Sequence, residues 1–145
     1  MRRLLIFSLF ALFSFSSISQ TKGDITIGKI DSLDSEILGE NRKIWIHVPD
    51  TNPNSIYTKQ NFPVIYLLDG PGHFTSVVGM MQHLSGSSIA PKMIVVGIPN
   101  TNRTRDLTPS KAKLDPPMID ERIVRDSGGG KKFMAFLEQE LIPYI

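Results

Sequence analysis

Asp69-Gly70-Pro71-Gly72-His73 follows directly on the apolar run Val64 to Leu68, and that position gives the five residues chemical meaning. In open α/β sheets, ligands bind outside the carboxyl ends of the strands, where loops expose backbone amides and polar side chains. Acyl transfer needs amide donors aimed at a developing oxyanion, and a glycine-rich turn lets the backbone come close to it. Taken by itself, the motif is better accounted for by a plain strand-to-helix turn with Asp69 capping amides.

Other constellations fail on their spacing. Gly128 to Lys132 precedes a helical pattern, as a phosphate-cradling loop would, but Arg125 stands where that loop needs glycine and Lys132 where it needs Ser or Thr. Ile30-Asp31-Ser32-Leu33 lacks the glycine of a Gly-Asp-Ser-Leu hydrolase signature, and Ser32 lies in a strand-like stretch with no base indicated beside it. Gly-x-Ser-x-Gly occurs nowhere; Ser127, the serine nearest a glycine cluster, has Arg125 in place of the first glycine. With no cysteine there is no disulfide, thiol nucleophile or Cys-ligated metal. The three histidines, His47, His73 and His83, are too scattered for a metal site, so neither metal nor cofactor is expected.

The first residues read as an address. Arg2 and Arg3 precede an apolar run from Leu4 to Phe15, and Ser17-Ile18-Ser19 offers small residues to a signal peptidase, with cleavage expected after Ser19. Twelve residues of helix span about 18 Å, short of a hydrocarbon core of about 30 Å, so no stable membrane anchor is expected. Without residues 1–19, the 16 basic residues fall to 14 and match the 14 acidic ones. A balanced charge gives no reason to expect nucleic acid as a partner. A periplasmic or extracellular location in a bacterium is the expectation.

The elements that must position any site come from hydrophobic spacing. Ile25, Ile27 and Ile30, then the period-two set Ile44, Ile46 and Val48, predict a β-hairpin turning at Gly39-Glu40-Asn41 and closed by Pro49, with a surface loop over Asp50 to Phe62. Val64 to Leu68 and Met93 to Ile98 are continuous apolar runs, as in parallel strands covered on both faces. Val77, Met80, Met81 and Leu84 between them have helical spacing, which completes a βαβ unit. A polar loop over Asn100 to Asp126 leads to a second helix, with Phe133, Phe136, Leu137, Glu140 and Leu141 on one face, expected to end near Ile142 before Pro143.

Phe62 to Gly70, Met93 to Asn100, Arg103 to Pro109 and Phe133 to Ile145 together resemble the esterase D-like family of α/β-hydrolases, which includes ferric-enterochelin esterases and S-formylglutathione hydrolases. The likeness runs in consistent order from about Ile27 to Ile145. It implies an α/β protein: a β-hairpin followed by a βαβα unit, the N-terminal half of an α/β-hydrolase fold that is a three-layer αβα sandwich when complete. It also implies a serine esterase acting on a small-molecule ester. In this fold the nucleophile elbow follows the next parallel strand, roughly 8 to 20 residues beyond the second helix, so serine, acid and histidine are all expected after Ile145 and this stretch alone is expected to be inactive.

The resemblance also assigns the remaining residues. One oxyanion amide should follow the strand bearing Asp69-Gly70. Pro71 has no N–H, which leaves Gly72 and His73 as candidates, or a member that stabilises an oxyanion poorly. Asp69, Gly70, Asn100, Arg103 and Arg105 should face the substrate crevice. Either arginine could meet an anionic part of a substrate, and a structural Arg105–Asp106 pair is the competing account. A non-catalytic binding remnant of the same fold is the alternative function. Val64 to Leu68 should lack its usual strand neighbour and present an open apolar edge.

Overall fold

The computed structural model describes residues 23–51, 61–113 and 120–145. The address segment and its cleavage position, most of the Asp50 to Phe62 loop and the Pro116-Pro117 pair lie outside these residues.

Strands β1 (Lys29–Ser35) and β2 (Glu40–His47) form the antiparallel hairpin, with Ile30 opposite Trp45 and Ser35 opposite Glu40. Its turn lies three residues earlier than the glycine-centred spacing predicts. Residues 36–39 make it, Gly39 closes it at φ 67°, and Glu40 and Asn41 already belong to β2. A positive φ suits glycine at the end of a turn, so Gly39 ends this one rather than beginning it. Ile25 is exposed ahead of β1, and Val48 is exposed after β2 has ended.

Strand β3 (Val64–Leu68), helix α1 (Gly70–Gly86) and strand β4 (Ile94–Ile98) form the βαβ unit, with β3 and β4 parallel from Val64–Ile94 to Leu68–Ile98. The sheet order is β1-β2-β4-β3, with β2 antiparallel to β4. Alternation along β4 divides the core. Val95 faces α1, packing with Phe74, Val78 and Met81, while Val96 and Ile98 face the opposite side with Ile44, Ile46, Phe133, Phe136 and Leu141. Each such side chain contributes about 1.5–3 kcal/mol by leaving water.

Two expectations about burial are corrected. The buried stripe of α1 is Phe74, Val78 and Met81, and Met80 is exposed. Strand β3 is half-buried, unlike β4, because it stands at the edge of the described sheet.

The polar segment after β4 contains two short helices, α2 (Arg103–Asp106) and α3 (Glu121–Asp126). Asn102 caps α2 by accepting from the Arg105 amide, and Asp120 caps α3 by accepting from that of Arg122. Helix α4 (Gly130–Phe136) continues past its expected end, through a π-helical turn at Leu137–Leu141 into α5 (Ile142–Tyr144). A proline lacks an N–H and its ring crowds the preceding turn. The wider turn ahead of Pro143 lets the chain remain helical through it. The three layers are α1, the mixed sheet and the α4–α5 rod: a partial α/β domain.

Candidate functional site

The carboxyl ends of β3 and β4 bring together residues far apart in sequence. Asp69 follows β3 in a left-handed conformation (φ 54°, ψ 37°). Its carboxylate accepts from the Asn100 side-chain amide, from Arg103 Nε at 3.1 Å and from Arg103 Nη2 at 3.5 Å. Asn100 first, then Arg103, hold the Asp69 carboxyl below the usual carboxylate range. The Arg103 side chain remains 63% exposed, and the whole cluster lies at the solvent boundary.

Gly70 sets the floor of this cluster. A Cβ there would lie 2.7 Å from the Ile98 nitrogen and 2.8 Å from the Gly97 carbonyl carbon, so only glycine lets α1 start this close to β4. Pro71 sits in the first turn of α1, where a missing N–H costs nothing. The Gly72 amide donates to the Asp69 carbonyl at 3.0 Å and closes the turn. Gly72 and His73 are both exposed.

Arg105 points away from Arg103, although only two residues separate them. Its guanidinium donates to Glu40 Oε2 at 3.0 Å and Oε1 at 2.7 Å, and to Asp106 Oδ1 at 2.7 Å. Arg42 completes the cluster, donating through Nη1 to Asp106 Oδ2 and to Glu40 Oε1, both at 2.8 Å. Its guanidinium carbon also lies 5.5 Å and 5.7 Å from the ring centroids of Phe133 and Phe136. Hydrogen bonds from Arg105 hold the Glu40 carboxyl down at about 2, against burial, with Arg42 adding to the effect. Glu40 and Arg42 escaped the sequence reading, whereas the Arg105–Asp106 pair was one of its two accounts of Arg105 and is present. The available signal was Arg42 itself, two residues before Ile44 and four before Ile46, on the same inward face.

The glycine run serves the same loop. Amides of Gly128, Gly129 and Gly130 donate to Thr108 Oγ1, the Arg105 carbonyl and the Thr108 carbonyl at 2.7, 2.9 and 2.9 Å. They clasp protein backbone, so they do not form a phosphate cradle. His47 is nearly buried at the other end of the sheet, its Nδ1 2.7 Å from the Ile27 carbonyl oxygen. Among the described residues, no group of three or more His, Asp or Glu is placed to hold a metal ion. No described helix is long and apolar enough to cross a membrane.

A mixed sheet between two helical layers, with its polar cluster at the strand ends before a glycine-bound helix, defines the N-terminal half of an α/β-hydrolase fold. Residues 35–145 match the family described as "Putative esterase", and the chain belongs to that family. An IroE-like serine hydrolase from Shewanella oneidensis is 36% identical and superimposes with a TM-score of 0.70, over 81% of this chain and 37% of that one. The enterobactin esterase from Shigella flexneri, solved with enterobactin, shares the fold at 21% identity and a TM-score of 0.56, over 87% of this chain and 27% of that one. The uncharacterized protein YbbA of Bacillus subtilis is 23% identical over 111 residues, 77% of this chain and 42% of its own length. The chain thus spans less than half the length of each of these relatives.

Proposed function

We propose that this chain forms the amino-terminal part of an exported serine-type carboxylic-ester hydrolase acting on a small-molecule ester, with nucleophile, acid and base contributed by residues after Ile145. The observation that carries the reading is the convergence of Asp69, Asn100 and Arg103 at the carboxyl ends of β3 and β4 in a chain of the esterase family. These residues and Gly70 line the substrate crevice, with Arg105 beneath them. Arg103 is exposed and cationic, which supports a role for it in meeting an anionic group on the substrate. Since the Gly72 amide is committed to Asp69, His73 is the stronger candidate for the oxyanion donor.

Pro71 favours a second reading, a non-catalytic binding protein of the same fold, because it removes the amide directly after Gly70. One experiment separates the two. The complete gene product is treated with a fluorophosphonate probe and assayed with p-nitrophenyl esters. Labelling of one serine together with ester hydrolysis is the expected outcome; absence of both overturns the esterase reading. Amino-terminal sequencing of the exported protein should begin at Gln20, and retention of Met1 would refute the cleaved leader.

A further inference from the structure

The motif Arg103-Thr104-Arg105-Asp106 divides its charges between two faces. Arg103 reaches out to Asp69 at the crevice, while Arg105 and Asp106 turn inward to Glu40 and Arg42. A four-residue helix has no cooperative stability of its own, so its position depends on what holds it.

The holding contacts bracket the crevice residues. Arg42 Nη2 donates to the Pro99 carbonyl at 3.3 Å, directly before Asn100. Its Nη1 donates to Asp106 Oδ2, directly after the Arg103 turn. The Arg105 carbonyl is clasped by the Gly129 amide at 2.9 Å. Asn100 and Arg103 therefore stand on a short arch fixed at both feet. Stability alone does not call for this chemistry, since well-packed apolar residues commonly replace buried ion clusters without loss. The cluster even leaves Arg42 Nε without a partner among the described residues. What the ions add is a defined geometry, because a guanidinium fork bonded to two carboxylates admits few arrangements.

We infer that Asp106 and Arg105, braced by Glu40 and Arg42, are positioning residues that set where Arg103 and Asn100 stand in the crevice, and so set selectivity for esters bearing a negative charge. The inference rests on the crevice reading above. Asp106 touches no substrate; it acts through Arg103.

The test uses the complete gene product and two p-nitrophenyl esters of similar size, one with a carboxylate on its acyl chain and one neutral. Asp106→Asn is expected to raise KM for the charged ester on the order of tenfold, with the loss carried by KM rather than kcat and the neutral ester little affected. Combined with Arg103→Ala, it should add nothing further. Equal losses on both esters, additive with Arg103→Ala, would show a merely structural role and overturn the inference. Should Asp106→Asn fail to fold, Arg105→Lys keeps the charge but loses the fork and should give the same pattern. If the unaltered protein hydrolyses neither ester, the esterase reading fails on its own. The positioning claim is then decided by the Arg103 Nε–H resonance in an NMR spectrum: a shift on Asp106→Asn supports it, and an unmoved resonance overturns it.

Discussion

Arg42 Nη1 and Asp106 Oδ2 meet at 2.8 Å across 64 residues of sequence, with both side chains almost sealed from solvent at 1% and 2% exposure. The pair joins the hairpin to the loop after β4. Removing one partner strands a buried charge and typically costs about 3–5 kcal/mol. Arg42→Met should lower the stability of the complete protein by that amount in urea unfolding. Adding Asp106→Leu should recover part of it, because Glu40 and Arg105 still pair directly. A double variant worse than the sum of the two singles would contradict this account.

Glu40 gives the cluster a defined acid response. Its carboxyl is held at about 2, against an ordinary 4.5, chiefly by Arg105. A depressed folded-state pKa contributes stability that is fully present above 4.5 and is lost as pH falls toward 2. Stability measured by denaturant titration should therefore fall across that window. Glu40→Gln should be less stable at neutral pH and show a flatter acid limb; an unchanged limb would refute the assignment.

Two glycines of α1 should respond oppositely to a methyl group. At Gly70 the added carbon would press on backbone atoms of Gly97 and Ile98, which cannot swing aside, so Gly70→Ala should cost about 1–3 kcal/mol or more. At Gly79, in the exposed middle of the same helix, nothing lies within 4 Å. Gly79→Ala should stabilise by about 0.8–1 kcal/mol through helix propensity. Thermal unfolding of the two variants distinguishes a site that needs glycine from one that merely has it.

What was legible in the sequence followed from local rules. Period-two and continuous apolar runs located β2, β3 and β4, and the run from Val77 to Leu84 located α1, because core-facing positions repeat with the element's own geometry. Strand β1 begins only at Lys29, behind Ile25 and Ile27, and its Ile30 is exposed. The phase of α1 was less legible: Phe74 and Val78, not Met80, face the sheet, since neighbouring layers decide which edge of a broad stripe is covered. The hairpin turn moved because Gly39 ends it at positive φ, and the π turn carried the last helix through Pro143. At the site, Asp69, Asn100 and Arg103 were readable as strand-end residues. Glu40 and Arg42 were not, because an arginine at an inward-facing strand position does not name its partner, and Asp106 lies 64 residues further on.

Glu140 tests how helix α4 and its π turn hold the hairpin. It sits at an apolar-face position of the helical repeat but accepts hydrogen bonds from the Ser35 hydroxyl and from the Glu36 and Ile37 amides, at 2.9 and 3.0 Å for the two amides. Burial pushes its carboxyl up, and the bonds from Ser35, Ile37 and Glu36 outweigh that and hold it below the ordinary range. Hydrogen bonds to a charged acceptor contribute about 1.5–3 kcal/mol when sheltered, and less at this half-exposed position. Glu140→Ala should destabilise by about 1 kcal/mol and increase hydrogen exchange at Glu36 and Ile37; unchanged exchange at those two amides would exclude the role.

The edge of β3 bears on how residues 20–145 behave when produced alone. Among the described residues β3 pairs only with β4, so its other side offers free backbone groups flanked by half-buried Ile65, Tyr66 and Leu67. Beside it runs an apolar groove of about 390 Å³ lined by Leu68, Leu107, Phe133, Met134 and Leu137. The opposite edge, β1, carries Lys29, Asp31 and Asp34, charges of the kind that discourage strand-to-strand association. An unprotected apolar edge next to an apolar groove is a template for aggregation. The isolated polypeptide should therefore be insoluble, or should bind a hydrophobic dye without a cooperative unfolding transition. A soluble monomer with a single sharp transition would show that the β3 edge is tolerated in water.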